Sequence, residues 1–189
     1  MTHGLLLAAG AGSRMGMPKA LVRDDDGTPW LTRSVQVLRD GGCDRVTVVL
    51  GAAADEAEWL LADGLADLTG VAVVRAAAWE AGMGASLRAG LRAVAGEDAE
   101  AVVVHLVDLP DVTAAVVARV LAAGGGPGAL ARAAYAGTPG HPVLLGRDHW
   151  AGVAESAAGD RGARGYLAAH DVVLVECGDL ATGADVDSR

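Results

Sequence analysis

Short, almost continuously apolar segments alternate with longer amphipathic segments along the first two thirds of the chain. The short segments are predicted strands at residues 4–9, 45–50, 71–75 and 101–107. The amphipathic segments are predicted helices at residues 29–40, 54–62, 86–94 and 113–122. Such alternation is typical of βαβ units with a mainly parallel sheet. Because the strands carry few polar residues, we expect helices on both faces and a three-layer α/β fold.

A glycine-rich break at residues 124–128 separates this region from a different pattern. Two strands are predicted beyond it, at 129–135 and 141–145, joined by a turn at 137–140. Helices at 148–156 and 163–170 and a last strand at 172–177 complete the pattern. About 60 residues is marginal for a separate domain. We therefore interpret the break as a loop within a single domain, residues 1–189.

Composition excludes several classes of protein. With 189 residues, 52% of them hydrophobic, the chain is long enough to bury a core and is not disordered. Its net charge of −9 argues against nucleic-acid binding, which needs a basic face. The apolar segments are too short to span a membrane, and the first residues lack the basic start of a signal peptide. Cys43 and Cys177 form no metal motif, so we expect reduced, buried thiols in a cytoplasmic protein.

The first predicted strand leads into a glycine-rich loop, LAAGAGSRMGMPKAL, residues 7–21. Two common phosphate-binding motifs do not fit it. Gly16 follows Gly12 one residue too late for the dinucleotide fingerprint, and Lys19 follows a proline rather than the glycine of a Walker A loop. The ingredients of a phosphate cradle are nevertheless present, since Gly10 and Gly12 expose backbone N–H groups and permit φ > 0.

Two cations, Arg14 and Lys19, follow these glycines. The guanidinium of Arg14 offers a planar fork of donors, and the ammonium of Lys19 is a compact charge on a flexible stem. Of the 15 basic residues, 14 are arginine, and Lys19 is the single lysine. A flexible charge that can follow a phosphate as it moves is a chemical reason for lysine at this position. Chance is the alternative explanation, because a single lysine must occur somewhere in the chain.

The loop sequence closely resembles the signature of the MobA-like nucleotidyltransferases, specifically the MocA branch of molybdenum cofactor cytidylyltransferases. The resemblance implies a GT-A-like fold and nucleotidyl transfer from an NTP to a phosphorylated acceptor, with Mg²⁺ as cofactor and pyrophosphate as product. It implies that Arg14 and Lys19 are catalytic, neutralising charge on the α-phosphate and the leaving pyrophosphate. It also implies a set of nucleotide-binding residues in this loop: Leu7, Ala8, Ala9, Gly10, Gly12 and Ser13.

A second block, WEAGMGASLRAGL at residues 79–91, resembles the family segment near the nucleotide and the acceptor. The resemblance implies nucleotide contacts from Gly82, Gly84 and Ser86. Taken alone, the same residues also fit a glycine turn with Ser86 as a helix N-cap. Arg88 fits either an acceptor-phosphate ligand or a solvated helix residue.

A third block, HLVDLPDVT at residues 105–113, places Asp108 at the end of an apolar strand, where α/β sheets bind ligands. It resembles the family's Asp-x-Pro metal motif, and Mg²⁺ prefers such hard oxygen ligands. The resemblance assigns the second metal ligand to Asp187, with Asp185 as the alternative. Taken alone, Asp108 also fits a helix-capping role. His105, on the same strand, is predicted to be a hydrogen-bonded core histidine.

Two further blocks resemble the acceptor side of the family. TPGHPVLL, residues 138–145, contains His141, and GDRGARGYL, residues 159–167, contains Arg161 and Arg164. These three side chains are candidate acceptor-binding residues. A structural turn histidine and a solvated helix face are the alternatives.

The resulting hypothesis is transfer of CMP from CTP to the phosphate of molybdopterin, with a molybdoenzyme as a possible client. Ala9 favours CTP, because guanylyltransferase relatives tend to have a glycine there and the added Cβ narrows the base pocket. Three alternatives remain open. The first is transfer to another phosphorylated acceptor such as a sugar phosphate. The second is a non-catalytic nucleotide-binding partner of a molybdoenzyme, suggested by residues 178–189, in which the Thr-Pro-Glu-Asp segment usual in the family is missing. The third is a nicotinamide-dependent oxidoreductase. The glycine spacing counts against the last, as does Arg33 near the position of a ribose-binding acid.

Overall fold

The computed structural model describes residues 1–187, and in that range seven strands form one sheet in the order β3-β2-β1-β4-β6-β5-β7. Strand β6 is antiparallel to both of its neighbours, β4 and β5, and every other pairing in the sheet is parallel. This confirms the predicted α/β fold with a mainly parallel sheet. The strands are β1 Thr2–Ala8, β2 Arg45–Leu50, β3 Val71–Arg75, β4 Ala101–Leu106, β5 Leu130–Tyr135, β6 Thr138–Gly146 and β7 Val173–Glu176.

Helices cover both faces of the sheet, as the apolar strands predicted. Helices α1, α2 and α4 bury their apolar residues in a core on one face, and α3, α5 and α6 do so on the other. Leucine, valine and alanine dominate both cores, since the chain contains no phenylalanine. The helices are α1 Trp30–Asp40, α2 Ala54–Gly64, α3 Met83–Ala95, α4 Ala114–Ala122, α5 Trp150–Ser156 and α6 Arg164–Ala168. No helix within residues 1–187 is long and apolar enough to cross a membrane.

Most element boundaries lie within two residues of the sequence expectation, and the starts of β6 and α3 differ from it by three. Strand β6 begins at Thr138, so the β5–β6 turn consists of Ala136 and Gly137, with φ of 50° and 78°. Positive φ at both central residues matches the twist of a two-residue hairpin. Helix α3 begins at Met83 with Gly82 as its N-cap, so Ser86 lies inside the first turn and does not cap the helix.

The order of the strands fixes where a ligand binds. From β1 the chain moves to β2 and β3 on one side and then returns to β4 on the other side of β1. Crevices form at such a reversal, beyond the carboxyl ends of the strands. Leu7 of β1 pairs with Leu106 of β4, so the glycine-rich loop and Asp108 leave the sheet side by side.

Candidate active site

Two adjoining cavities open at this reversal point. The smaller, about 350 Å³, lies between the glycine-rich loop and the start of α3. The larger, about 560 Å³, lies between β6, the segment around residues 160–164 and the C-terminal segment. Both are lined by Leu7, Lys19, Met83, Leu106, Asp108 and Asp160. The lysine and the aspartate singled out from sequence therefore stand at the junction of the two cavities.

The glycine-rich loop is folded around Gly12. Its carbonyl oxygen accepts hydrogen bonds from the N–H groups of Met15 and Gly16, at 2.9 and 3.0 Å. Gly12 has φ of 61°, and an added Cβ would lie 2.0 Å from the carbonyl oxygen of Met17. Gly10 is not in the left-handed region, and a Cβ there would meet nothing within 4 Å. Of the two glycines that permit φ > 0, Gly12 therefore adopts it and Gly10 does not.

Most of the predicted nucleotide-binding residues line the smaller cavity. They are Leu7, Ala8, Ala9, Gly10, Gly12, Ser13, Gly82 and Ser86. Gly84 does not line either cavity. It packs instead against the loop after α5, where an added Cβ would lie 2.9 Å from the backbone nitrogen of Ala158. Trp79, Glu80 and Asp160 also line the smaller cavity, although the sequence motifs did not single them out.

Lys19 bridges the two predicted metal ligands. Its Nζ lies 2.5 Å from Oδ2 of Asp108 and 2.7 Å from Oδ1 of Asp187. Arg14, on the rim of the larger cavity, donates from Nη1 to Oδ2 of Asp187 at 3.0 Å. The side chains of Lys19 and Asp108 are 18% and 15% exposed, so much of this cluster is shielded from water. Residues far apart in sequence thus form one charged centre.

The protonation states of this centre follow from its contacts. Burial lowers the pKa of Lys19, but the hydrogen bonds that its ammonium donates to Asp108 and Asp187 outweigh burial and leave the pKa above its ordinary value. The hydrogen bond from Lys19 in turn lowers the pKa of Asp187. An ammonium and a carboxylate are therefore paired here at neutral pH.

The donor set suits a hard divalent cation. Oxygens of Asp108 and Asp187 already point at one shared positive charge. Among residues 1–187 there is no cluster of three or more His, Cys, Asp and Glu side chains arranged to hold a metal. Two carboxylates completed by water and substrate phosphates are the arrangement Mg²⁺ prefers, so these residues fit such an ion.

The C-terminal segment is tied down before it reaches Asp187. The backbone N–H and the hydroxyl of Thr182 both donate to Oδ2 of Asp111, at 2.6 and 2.5 Å. The N–H of Val186 then donates to the carbonyl of Asp108 at 3.0 Å. Asp111 thus anchors the segment and does not cap α4, whose N-cap is Thr113 with no capping side chain.

Besides Arg14, three arginines and a histidine line the larger cavity. His141, Arg161 and Arg164, predicted from sequence, all face it, and so does Arg132 of β5, which no motif indicated. Burial and then the charge of Arg132 lower the pKa of His141 to about 3. His141 is therefore a neutral imidazole that can hydrogen-bond a ligand but brings it no positive charge.

Two other predicted roles change. Arg88 lines neither cavity, because its Nη1 donates to the carbonyl of Ala157 and pins the loop after α5 to α3. His105 is buried as expected, but its Nδ1 has no hydrogen-bond partner within residues 1–187. Burial and then the charge of Arg33 lower the pKa of His105 to about 4.

Several known proteins are similar to this chain in sequence and fold. Nicotine blue oxidoreductase of Paenarthrobacter nicotinovorans is 35% identical over 195 residues, covering 98% of this chain and 91% of that protein. Rv0371c of Mycobacterium tuberculosis H37Rv is 30% identical, with a TM-score of 0.78 over 99% of this chain and 93% of its own. A crystal structure of Rv0371c in complex with manganese superposes with a TM-score of 0.73, over 98% and 93% of the chains.

A nucleotidyl transferase from Methanothermobacter, Mth528, shares the fold, with a TM-score of 0.81 at 23% identity over 100% of this chain and 92% of its own. The sequence model of one protein family, the MobA-like NTP transferase domain, matches residues 4–173 of this chain. That match includes the glycine-rich loop, Asp108 and most of the larger cavity. The chain therefore belongs to the MobA-like NTP transferase domain family and is a nucleotidyltransferase.

Proposed function

We propose that this protein transfers CMP from CTP to the phosphate of molybdopterin and releases pyrophosphate. The observation that carries the proposal is the junction of the two cavities at Lys19 and Asp108. A transferase must hold a nucleotide and an acceptor in contact at one charged point. Two pockets that share a lysine and an aspartate supply that arrangement.

The smaller cavity suits the nucleotide. Backbone groups of the glycine-rich loop line it, and such loops cradle phosphates through their N–H groups. Ala9, which is 4% exposed, also lines it, and its Cβ leaves less room than a glycine would. This supports a pyrimidine base and hence CTP rather than GTP.

The chain contributes position and charge to the reaction, and no covalent intermediate is needed. An oxygen of the acceptor phosphate forms a bond to the α-phosphorus of CTP. The bond from that phosphorus to the α–β bridging oxygen breaks, and pyrophosphate leaves with the electron pair. Lys19 can swing on its flexible stem from the carboxylates to the phosphate oxygens, and with Arg14 it neutralises charge on the leaving group.

Asp108 and Asp187 are the residues that would hold Mg²⁺. When bound, the ion would supply Lewis-acid neutralisation of phosphate charge. The carboxylates also hold Lys19 close to the junction. They therefore have a role in positioning the ammonium as well as in metal binding.

The larger cavity suits a phosphorylated acceptor. It carries Arg132, Arg161 and Arg164 in a chain whose net charge is −9. Molybdopterin carries a terminal phosphate, and the family resemblance favours it over a sugar phosphate. A molybdoenzyme that receives the dinucleotide product is the corresponding partner.

Pyrophosphate release tests the proposal. Wild-type protein is incubated with Mg²⁺ and either CTP or GTP, with and without purified molybdopterin. We expect release that requires molybdopterin and is faster with CTP. Asp108→Ala and Lys19→Ala should abolish it with unchanged circular dichroism. Asp98→Ala, an exposed aspartate outside both cavities, is the matched control.

Other outcomes identify the alternatives. Release of pyrophosphate with a sugar phosphate in place of molybdopterin would make that compound the acceptor. CTP binding without release under any of these conditions would indicate a non-catalytic nucleotide-binding partner. Full activity of both Lys19→Ala and Asp108→Ala would disprove the mechanism.

A second candidate is an oxidoreductase activity at the same crevice. One observation favours it: the relative at 35% identity is named an oxidoreductase. The glycine-rich loop would then hold the phosphates of a nicotinamide dinucleotide. Binding of NADH and NADPH is followed by the fluorescence of the reduced nicotinamide, and binding of CTP by its displacement of these nucleotides or by calorimetry. A transferase should bind CTP in preference to both, whereas an oxidoreductase should not.

A further inference from the structure

Arg132 lies in the larger cavity without a carboxylate partner. It is half-buried on β5, and within residues 1–187 it forms no ion pair. Arg164, in the same cavity, forms none in that range either. Burial, and then the charge of Arg164, lower the pKa of Arg132. Arg164 is exposed, but the half-buried charge of Arg132 is partly removed from water, and leaving such a charge unpaired is costly.

The carbonyl oxygen of Gly140 fixes the orientation of Arg132. Nε and Nη2 of the guanidinium donate to it at 3.1 and 3.0 Å. Nη1 makes no hydrogen bond to residues 1–187, so its two N–H groups remain available in the cavity. The carbonyl of Gly140 on β6 thus orients the side chain of Arg132 on the neighbouring strand β5. This role of the block is separate from the acceptor contact predicted for His141.

From this arrangement we infer that Arg132, with Arg164, forms an anion subsite that binds the phosphomonoester group of the acceptor. A dianionic phosphoryl group matches two unpaired guanidinium groups in charge, and the free edge of Arg132 can donate two hydrogen bonds to its oxygens. Asp108, Asp160, Asp185 and Asp187 also line the cavity, but within residues 1–187 none of them pairs with Arg132 or Arg164, so both guanidinium charges remain without a carboxylate there. Arg132 is thereby a specificity-determining residue for the acceptor. The inference rests on the proposed function in placing the acceptor in the larger cavity.

Kinetics on variants test this role. Arg132→Gln removes the charge, Arg132→Lys keeps the charge but not the fork, and Arg92→Gln removes an exposed arginine outside both cavities. We expect Arg132→Gln to raise the KM for molybdopterin about 10- to 100-fold, the usual range for a lost charge-assisted hydrogen bond. KM for CTP and kcat should change less than about threefold, and Arg132→Lys should fall between the wild type and Arg132→Gln.

A second measurement does not depend on turnover. Binding of phenyl phosphate, a simple phosphomonoester, is followed by calorimetry with wild-type protein and with each variant. Binding that Arg132→Gln weakens and Arg92→Gln does not supports the subsite, even if molybdopterin proves not to be a substrate. In that case the subsite stands and the proposed acceptor fails.

Three results would overturn the inference. If Arg132→Gln keeps the wild-type KM for molybdopterin and the wild-type affinity for phenyl phosphate, Arg132 does not touch the anion. Equal losses of CTP and acceptor binding, with a lowered Tm, would show a structural role in the β5–β6 hairpin. Failure of the wild type to bind phenyl phosphate or molybdopterin would show that no such subsite exists.

Discussion

The backbone N–H of Val186 donates to the carbonyl oxygen of Asp108 at 3.0 Å, joining the C-terminal segment to the end of β4. This hydrogen bond places Asp187 beside Asp108, and the ammonium of Lys19 then bridges their carboxylates. The charged centre of Lys19, Asp108 and Asp187 is therefore assembled from three separate parts of the chain. Its integrity depends on the contacts that hold the C-terminal segment in place.

The anchor of that segment is Asp111. We expect Asp111→Ala to release Thr182 at a local cost of about 1–3 kcal/mol, since it removes two hydrogen bonds to a charged group. Local opening near the last described residues should lower kcat/KM about tenfold and raise the Mg²⁺ concentration needed for half-maximal rate. Hydrogen exchange of residues 180–187 and pyrophosphate release measure the two effects. Asp98→Ala is the control, and an unchanged exchange rate in Asp111→Ala would contradict the anchoring role.

The conformation of the glycine-rich loop depends on Gly12 much more than on Gly10. Gly12→Ala forces a Cβ against the carbonyl of Met17 at positive φ, so we expect Tm to fall by about 3–6 °C. Gly10→Ala meets open space and should leave Tm within about 1 °C of the wild type. Thermal unfolding followed by circular dichroism compares the two variants. Equal Tm values would show that the loop does not need the left-handed residue.

Buried His105 makes the fold sensitive to acid. Its pKa in the folded protein, about 4, lies below the ordinary value of 6.5, so folding favours the neutral imidazole. The stabilisation is complete above pH 6.5 and is lost as the pH falls towards 4, at about 1.4 kcal/mol per pH unit. Between pH 7.5 and pH 5 the wild type should lose about 2 kcal/mol more unfolding free energy than His105→Leu.

Urea unfolding at the two pH values measures this difference. His141 and His3, whose pKa values are also lowered, are present in both proteins. The charge of His105 contributes to the lowered pKa of His141 only after burial and the charge of Arg132, so most of their contribution cancels in the comparison. The same pH dependence in His105→Leu and the wild type would show that His105 is not the group being protonated.

Arg88 should contribute to stability and not to acceptor binding. Because its guanidinium is hydrogen-bonded to the carbonyl of Ala157, Arg88→Ala should lower the unfolding free energy by about 1–2 kcal/mol. The KM for the acceptor should stay within about twofold of the wild type. Arg92→Ala, on the same helix and exposed, controls for loss of charge. A tenfold rise in acceptor KM for Arg88→Ala alone would restore the role first inferred from sequence.

Local features of the sequence predicted the scaffold well, because strand and helix patterns depend on near neighbours. The apolar runs predicted β1 to β4, and the motif blocks identified the ends of β1 and β4 as the ligand edge. The blocks also identified Asp108, Lys19 and most residues that line the smaller cavity. These residues lie in compact motifs, in which residues that are close in the sequence are also close in space.

The sequence alone thus determined the fold class, the family signature and the candidate side chains on the loops that follow β1 and β4. Which of those side chains meet depends on the tertiary structure. Lys19 pairs with Asp187, 168 positions away, and Arg88 donates to the carbonyl of Ala157 instead of lining the cavity. Arg132 lies in the larger cavity and donates to the carbonyl of Gly140 on β6. The first two contacts join segments distant in the chain, and the third joins the two strands of the β5–β6 hairpin. Their geometry depends on the order of strands in the sheet and on the packing of both faces, which no local pattern of residues records.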